Sequence, residues 1–157
     1  VACAFTTGKI EIKSDGTPWR PVVHVKDVCS AYIAGLEAPG ELVAGLAFNV
    51  GIPNGNFTVR DLAEEAQHSV PGSQLVFTGE HGNDSRTYRV SFQRILNELK
   101  DYYRPEWTLE RGGLELVKLF QTTKFSENEF RGDQCIRLRK INRLISTGNL
   151  TDELRWR

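Results

Sequence analysis

The chain has no methionine, only three cysteines and three histidines, and no excess charge of either sign. Each of these shortages excludes something. Twenty basic side chains balance twenty acidic ones, so the field of the whole molecule gives no reason to expect nucleic acid or an anionic membrane as a partner. Cys3, Cys29 and Cys135 are odd in number and widely separated, with no Cys-x-x-Cys spacing. That pattern argues against a disulfide framework or a thiolate zinc site and leaves reduced thiols as the expectation. His24, His68 and His81 form neither H-x-x-x-H nor H-E-x-x-H, so no metal site is expected from the sequence. No run approaches the roughly 18 apolar residues needed to cross a bilayer. The opening VACAFTTGKIEIK has neither a basic leader nor a continuous apolar stretch, and a cytoplasmic protein is the default. The missing methionine fits a trimmed or partial sequence.

What is present is a chain of 157 residues, long enough for one domain with a real core. The reading is α/β: a small sheet with helices to about residue 90, passing into a mainly helical part over 91–157. Residues 9–13 alternate as a strand and are expected to pair, across the turn at Asp15-Gly16-Thr17-Pro18, with a β-branched strand at 21–25. Asp27 then opens a helix over 27–38 with Val28, Ala31, Tyr32, Gly35 and Leu36 on one side, ended by Pro39-Gly40. Residues 46–50 read as a buried strand. Thr58 opens the next helix, with Asp61 placed as its capping-box partner. Residues 74–78 read as a further strand, and 79–86 as the longest polar loop, a natural place for ligand contacts. Ser91, Thr108 and Asp133 stand where they can cap three later helices, the last ending at Gly148.

The segment DGTPWRPVVHVKD, from Asp15 to Asp27, sets an arginine at a strand entrance directly before an amphipathic helix. It resembles the dG-x-x-x-R-x-[VI]-[HY]-V-x-D signature in the substrate-binding part of the NAD-dependent sugar-nucleotide epimerase/dehydratase family, the extended short-chain dehydrogenases. Further elements follow in order. Phe48-Asn49-Val50-Gly51 is similar to the family's f-N-[VI]-G element, Thr58 to Ala63 to the helix after it, and Asp84-Ser85-Arg86 to a late D-x-R element. The resemblance covers most of the chain, and the tail 150–156 resembles the ending of some members.

The family's amino-terminal features are missing. No glycines fall as G-x-x-G-x-x-G or G-x-G-x-x-G between a strand and a helix, the turn that would hold a dinucleotide pyrophosphate. Tyr32, Tyr88, Tyr102 and Tyr103 all lack a lysine four residues on. The resemblance therefore implies the carboxy-terminal, substrate-binding half of such an enzyme without its Rossmann half. On this reading the chain is a fragment, a remnant or one subunit of a split epimerase, binding no cofactor by itself and holding no catalytic residue. NAD belongs to the complete enzyme, an isomerase or lyase of carbohydrate metabolism.

The implied ligand is a nucleoside-diphosphate sugar, whose diphosphate suits the planar, two-pronged guanidinium of arginine. Arg20 and Arg86 are the expected phosphate contacts and Asn49 an amide contact on the same anion or the sugar. Arg89 competes with Arg86 from three residues on, and Trp19 is a candidate to stack on the base or sugar. His24 alternates with Val23 and Val25 and reads as a structural histidine, and Asp27 as a helix cap rather than an acid. The basic residues Arg137, Arg139, Lys140 and Arg143 read as a solvated helix face. A different class of function also fits: a remnant whose Rossmann-facing surface has become an oligomerisation or protein-binding interface.

Overall fold

A computed structural model describes residues 1–79 and 86–157. Among the described residues, four short strands form two separate two-stranded sheets, with helices packed around them. Helix α1 (Ala2–Thr7) ends on Gly8 in the left-handed conformation and feeds β1 (Lys9–Ile12). β1 turns Ile10 and Ile12 inward, while Lys9 and Glu11 pair at 3.0 Å on the outer face. Its partner is β4 (Gln74–Phe77), running parallel with Ile10 opposite Leu75. β2 (Trp19–Pro21) pairs antiparallel with β3 (Asn56–Thr58), Arg20 opposite Phe57.

The hairpin expected between residues 9–13 and 21–25 does not form. The side chain of Asp15 accepts from the backbone N–H of Thr17 at 2.9 Å and closes a local turn, but each flanking strand takes its partner from far along the chain. The second strand is also shorter and earlier than expected, at 19–21. Val22 donates to the carbonyl of Gly55, and His24 then starts a helix.

That helix, α2 (Val25–Glu37), begins two residues before the expected position. Its cap is the His24 side chain, which accepts from the Lys26 N–H. Its buried side is Asp27, Ala31 and Ala34, with Ala38 just beyond. The side carrying Tyr32 and Leu36, expected to face the core, is 74% and 86% exposed at those two residues. The alanines make the buried face thin, so Phe92, Ile95, Leu99 and Tyr103 fill the space against it. Most of these come from the short helix α5 (Gln93–Glu98) and its flanks. A second cluster sets Ala63 and Ala66 of α4 (Val59–Ser69) against Ala4 and Ile10. Alanine is favoured at such contacts because it gives up no side-chain entropy and lets elements approach closely.

The expected cap of α4 is present in full: Thr58 Oγ1 accepts from the Asp61 N–H, and the Asp61 carboxylate accepts from the Thr58 N–H. Thr108 caps α6 (Leu109–Thr123) through its hydroxyl alone, which accepts the Arg111 N–H. Two other expected caps fail. Phe92, not Ser91, is the residue before α5 and makes no side-chain cap, and Ser91 Oγ accepts only the Gln93 N–H, at 3.5 Å. Ile136 precedes α8 (Arg137–Ser146), while Asp133 pairs with Arg143 and Lys140 of that helix instead. Gly148, in the left-handed region, follows α8 as expected. Short helices at Gly40–Val43 (α3) and Glu127–Phe130 (α7) were not legible in the sequence.

Residues 46–50 are not a strand and not buried throughout. They lie outside regular structure, with Phe48 and Val50 leaning on the α2 cluster while Leu46, Ala47 and Asn49 are exposed. Among the described residues no backbone group accepts from the N–H of residues 47–50. Gly51, which follows, is required by space: a Cβ there would sit 2.4 Å from the Phe92 ring.

Candidate substrate site

Residues 86–91 run as a strap beside β2. Thr87 Oγ1 accepts the Trp19 N–H at 3.0 Å, and the Tyr88 N–H reaches the Trp19 carbonyl at 3.5 Å. Arg20 Nη1 donates to the carbonyls of Trp19 and Arg86, at 2.8 and 2.5 Å, with its guanidinium 5.6 Å from the Tyr88 ring centre. The Asn56 side chain bonds both backbone groups of Val90: its Oδ1 accepts at 2.8 Å and its Nδ2 donates at 2.9 Å. Asn49 Nδ2 donates to the Ser91 carbonyl at 3.2 Å. The strap is thus fastened mainly by side chains rather than by a β ladder.

These contacts gather the sequence candidates. Arg89 lies over the Trp19 indole, 4.3 Å from the ring centre to the guanidinium carbon. Both line a cavity of about 420 Å³, shared with Asn54, Asn56, Ser91 and Gln93. Arg20 sits in β2 and holds the strap by the Arg86 carbonyl, and Asn49 reaches the strap's far end. Of the two competing arginines, Arg89 is the one whose side chain lines the cavity. Asp84 and Ser85 of the late D-x-R element, with most of the loop 79–86, lie outside the described residues. Asn56, Thr87 and Tyr88 were missed by sequence reasoning. The alternation Tyr88-Arg89-Val90-Ser91 was the available signal that the segment is extended.

A second polar cluster lies elsewhere. His24 stacks on Trp107 with ring centres 3.9 Å apart, and its Nε2 lies 2.9 Å from Glu115 Oε2. Because Nδ1 accepts the Lys26 N–H, the neutral ring carries its proton on Nε2 and donates it to Glu115. Lys26 also bonds Glu115, and this hydrogen bond, followed by that of His24, holds the Glu115 carboxyl below its usual range. The cavity of about 340 Å³ beside the cluster is walled chiefly by apolar groups such as Val22, Ile52, Leu62 and Leu116. His24 is thus packed and hydrogen-bonded, but as the cap of α2 rather than within a strand over 21–25. Asp27 does not cap α2 but is buried, accepting the N–H groups of Glu106 and Trp107 at 3.0 Å each.

Two strand-to-helix passages lie wholly among the described residues. The passages from β2 to α2 and from β3 to α4 contain no glycine, and the side chains of His24 and Thr58 already cap them. A pyrophosphate needs the open N–H groups that a Gly-rich turn leaves there. Among the described residues no group of three His, Cys, Asp or Glu side chains is arranged to hold a metal ion. None of the described helices is long and apolar enough to cross a membrane, and the three cysteines are free thiols.

Comparison with known proteins follows the same lines. Residues 1–51 match the NAD dependent epimerase/dehydratase family. L-threonine dehydrogenase from Phytophthora infestans superposes with a TM-score of 0.60 at 12% identity, over 76% of this chain and 39% of that one. UDP-glucuronic acid 4-epimerase from Bacillus cereus, solved with UDP-glucuronic acid and NAD, gives 0.56 at 18% identity, over 74% and 36%. An NAD-dependent NDP-hexosamine 5,6-dehydratase, TunA, involved in tunicamycin biosynthesis, gives 0.59 at 17%, over 77% and 38%. The mixed α/β fold is therefore that of part of these enzymes, and the chain spans less than two-fifths of their length.

Proposed function

We propose that this chain is the portion of an NAD-dependent epimerase or dehydratase that holds a nucleoside-diphosphate sugar. The observation that carries the reading is the strap: it sets Arg89 against Trp19 beside a cavity of about 420 Å³, with Arg20 fastening it from β2. Arg20, Arg86 and Arg89 supply the positive charge for a diphosphate, Asn49 an amide for orientation, and Trp19 an aromatic face for the base or sugar. NAD, held by the remainder of such an enzyme, supplies the hydride acceptor. The part played by this chain is to fix the sugar's position, which lowers the entropic cost of reaction.

Calorimetric titration of the chain with UDP-, GDP- and dTDP-sugars tests this, with NAD alone as control and with Arg20→Ala and Arg89→Ala. Saturable binding weakened at least about tenfold by each substitution, a loss on the scale of one charge-assisted hydrogen bond, supports the reading. A folded chain that binds none of the three sugars overturns it.

A second reading rests on a different observation. The outer face of α2 exposes Val25, Tyr32, Ile33 and Leu36, and an apolar groove beside it is lined by Tyr32, Val43, Leu46, Phe48 and Val50. The neighbouring backbone of residues 47–50 donates to no described backbone group. An exposed apolar face beside irregular backbone, of which the Ala47 carbonyl is taken by Arg94 but the N–H groups meet no described backbone acceptor, suits docking of an apolar segment. The occupant is the NAD-binding part of such an enzyme or, in its absence, a second copy. Sedimentation over a range of concentrations tests the latter: a chain that stays monomeric throughout excludes self-pairing.

A further inference from the structure

We infer that Asn56 is a positioning residue for the nucleotide-sugar site, acting on the ligand through the strap it clamps; the inference rests on the function proposed above. Asn56 ends up where a backbone would be in a longer sheet. β3 contributes its own backbone to β2, with Asn56 opposite Pro21, and its side-chain amide then does for Val90 what a neighbouring strand would do. One carboxamide satisfies both the N–H and the C=O of the same residue, at 2.8 and 2.9 Å. An amide oxygen and an amide NH2 are both required, and only one orientation of the Asn56 side chain offers the acceptor to the N–H and the donor to the carbonyl.

The clamp sits next to the groups that matter. Val90 follows Arg89 directly, so the two bonds fix the backbone from which Arg89 extends over Trp19. At its other end the strap is held by Thr87 on the Trp19 N–H and by Arg20 on the Arg86 carbonyl. Asn56 is partly buried and itself lines the cavity. A strap with few ladder bonds gains order only from such side-chain ties, and an arginine delivered by a loose strap would lose binding strength to the entropy of ordering it. No other asparagine in the described site bonds both groups of one residue.

Asn56→Asp separates positioning from a general structural role, because its effect depends on pH. At about pH 7.5 the carboxylate accepts from the Val90 N–H but turns a negative oxygen toward the Val90 carbonyl, and the donor is lost. Affinity for UDP-glucose, the probe, is expected to fall about tenfold, with faster hydrogen exchange at residues 86–91. Lowering the pH to about 5 protonates part of a carboxyl whose pKa a facing carbonyl raises, and so restores the donor. The deficit relative to the native chain at the same pH then shrinks, whereas that of Asn56→Ala does not. An Asn56→Asp chain with native affinity at about pH 7.5, or a deficit that pH leaves unchanged, overturns the proposal. Should Asn56→Asp fail to fold, Asn56→Ala carries the test, and unchanged affinity with unchanged strap exchange overturns it. Where the native chain binds no nucleotide sugar, the functional reading falls but the exchange arm still decides: pH-dependent loosening of the strap in Asn56→Asp supports the clamp, and native exchange rates remove it.

Discussion

Asp27 and Trp107 are joined by a hydrogen bond of 3.0 Å, from the Trp107 backbone N–H to one oxygen of a fully buried carboxylate whose other oxygen holds the Glu106 N–H at the same distance. An acidic residue in the first turn of α2 thereby anchors the entry to α6, and with it the ring on which His24, Lys26 and Arg111 rest. Asp27→Asn places an NH2 group against one of two N–H donors and leaves that donor unsatisfied in the interior. Urea unfolding should show a loss of about 2–3 kcal/mol, the scale for a buried bond to a charged group. A loss below about 0.5 kcal/mol, typical of surface positions, would mean that the carboxylate does not hold the two elements.

Helices α4 and α6 touch through a serine and a glycine. A Cβ on Gly113 would lie 2.0 Å from Ser69 Oγ, whose hydroxyl is buried with no hydrogen-bond partner among the described residues. Gly113→Ala should destabilise by about 1–3 kcal/mol through overpacking, despite alanine's better helix propensity. Adding Ser69→Gly removes both clashing atoms and should restore much of the loss, a coupling read directly from a double-mutant cycle. Additive effects of the two changes would show that the helices separate freely.

The Tyr103 hydroxyl is buried and donates to the Gly51 carbonyl at 3.0 Å. Burial, and then the charge of Asp27, push its pKa from 10.0 to about 12. The folded pKa lies above the unfolded one, so the contribution is complete below pH 10 and is lost as pH rises toward 12. Phenolate absorbance should show a tyrosine titrating well above pH 10, and the native chain should lose stability across that window. Tyr103→Phe should be less stable at neutral pH by about 1 kcal/mol, the worth of one hydrogen bond, with a shallower alkaline decline. The absence of any phenolate step above about pH 11 would contradict the burial of Tyr103.

Leu36 is 86% exposed on the outer face of α2. Leu36→Glu should leave the melting temperature nearly unchanged, because the side chain gives up little buried area. Any self-association of the native chain should weaken in the same variant. Association that persists unchanged would place the contact on another surface, such as α6 with its exposed Leu114 and Leu119.

Much of the helical structure was legible, because helix starts are local events. Thr58 with Asp61 and Thr108 declare their helices within four residues, and the structure uses both caps. Ser91 and Asp133 carry the same chemistry, yet tertiary partners claim the sites: Phe92 sits just before α5 in the core, and Asp133 is drawn to Arg143. The strands were harder. Residues 9–13 and the turn at Asp15 look like half a hairpin, but pairing is decided by residues 56–58 and 74–77, which no local rule can see. The α2 face was misjudged because both of its sides carry apolar residues, and periodicity alone does not say that the alanine side faces the core. Of the candidates, Arg20 and Trp19 sit in the segment from Asp15 to Asp27, and Arg89 entered only as a competitor to the motif arginine Arg86, whereas Asn56 belonged to an unremarkable Gly/Asn loop. Its role exists only once Val90 is folded beside it.

The parallel pairing of β1 with β4 has a consequence for how the chain is made. Lys9 and Gln74 are register partners, separated along the chain like Lys13 and Thr78, which are 65 residues apart. During synthesis from the amino terminus, β1 emerges long before its only strand partner among the described residues. Its edge stays open while β2, α2, β3 and α4 are still being made, and the loop must close before the ladder rewards it. At ribosomal rates of about 5–20 residues per second that interval lasts several seconds. In a crowded cell, nascent copies of this chain would be most prone to exchange strands with one another during that interval.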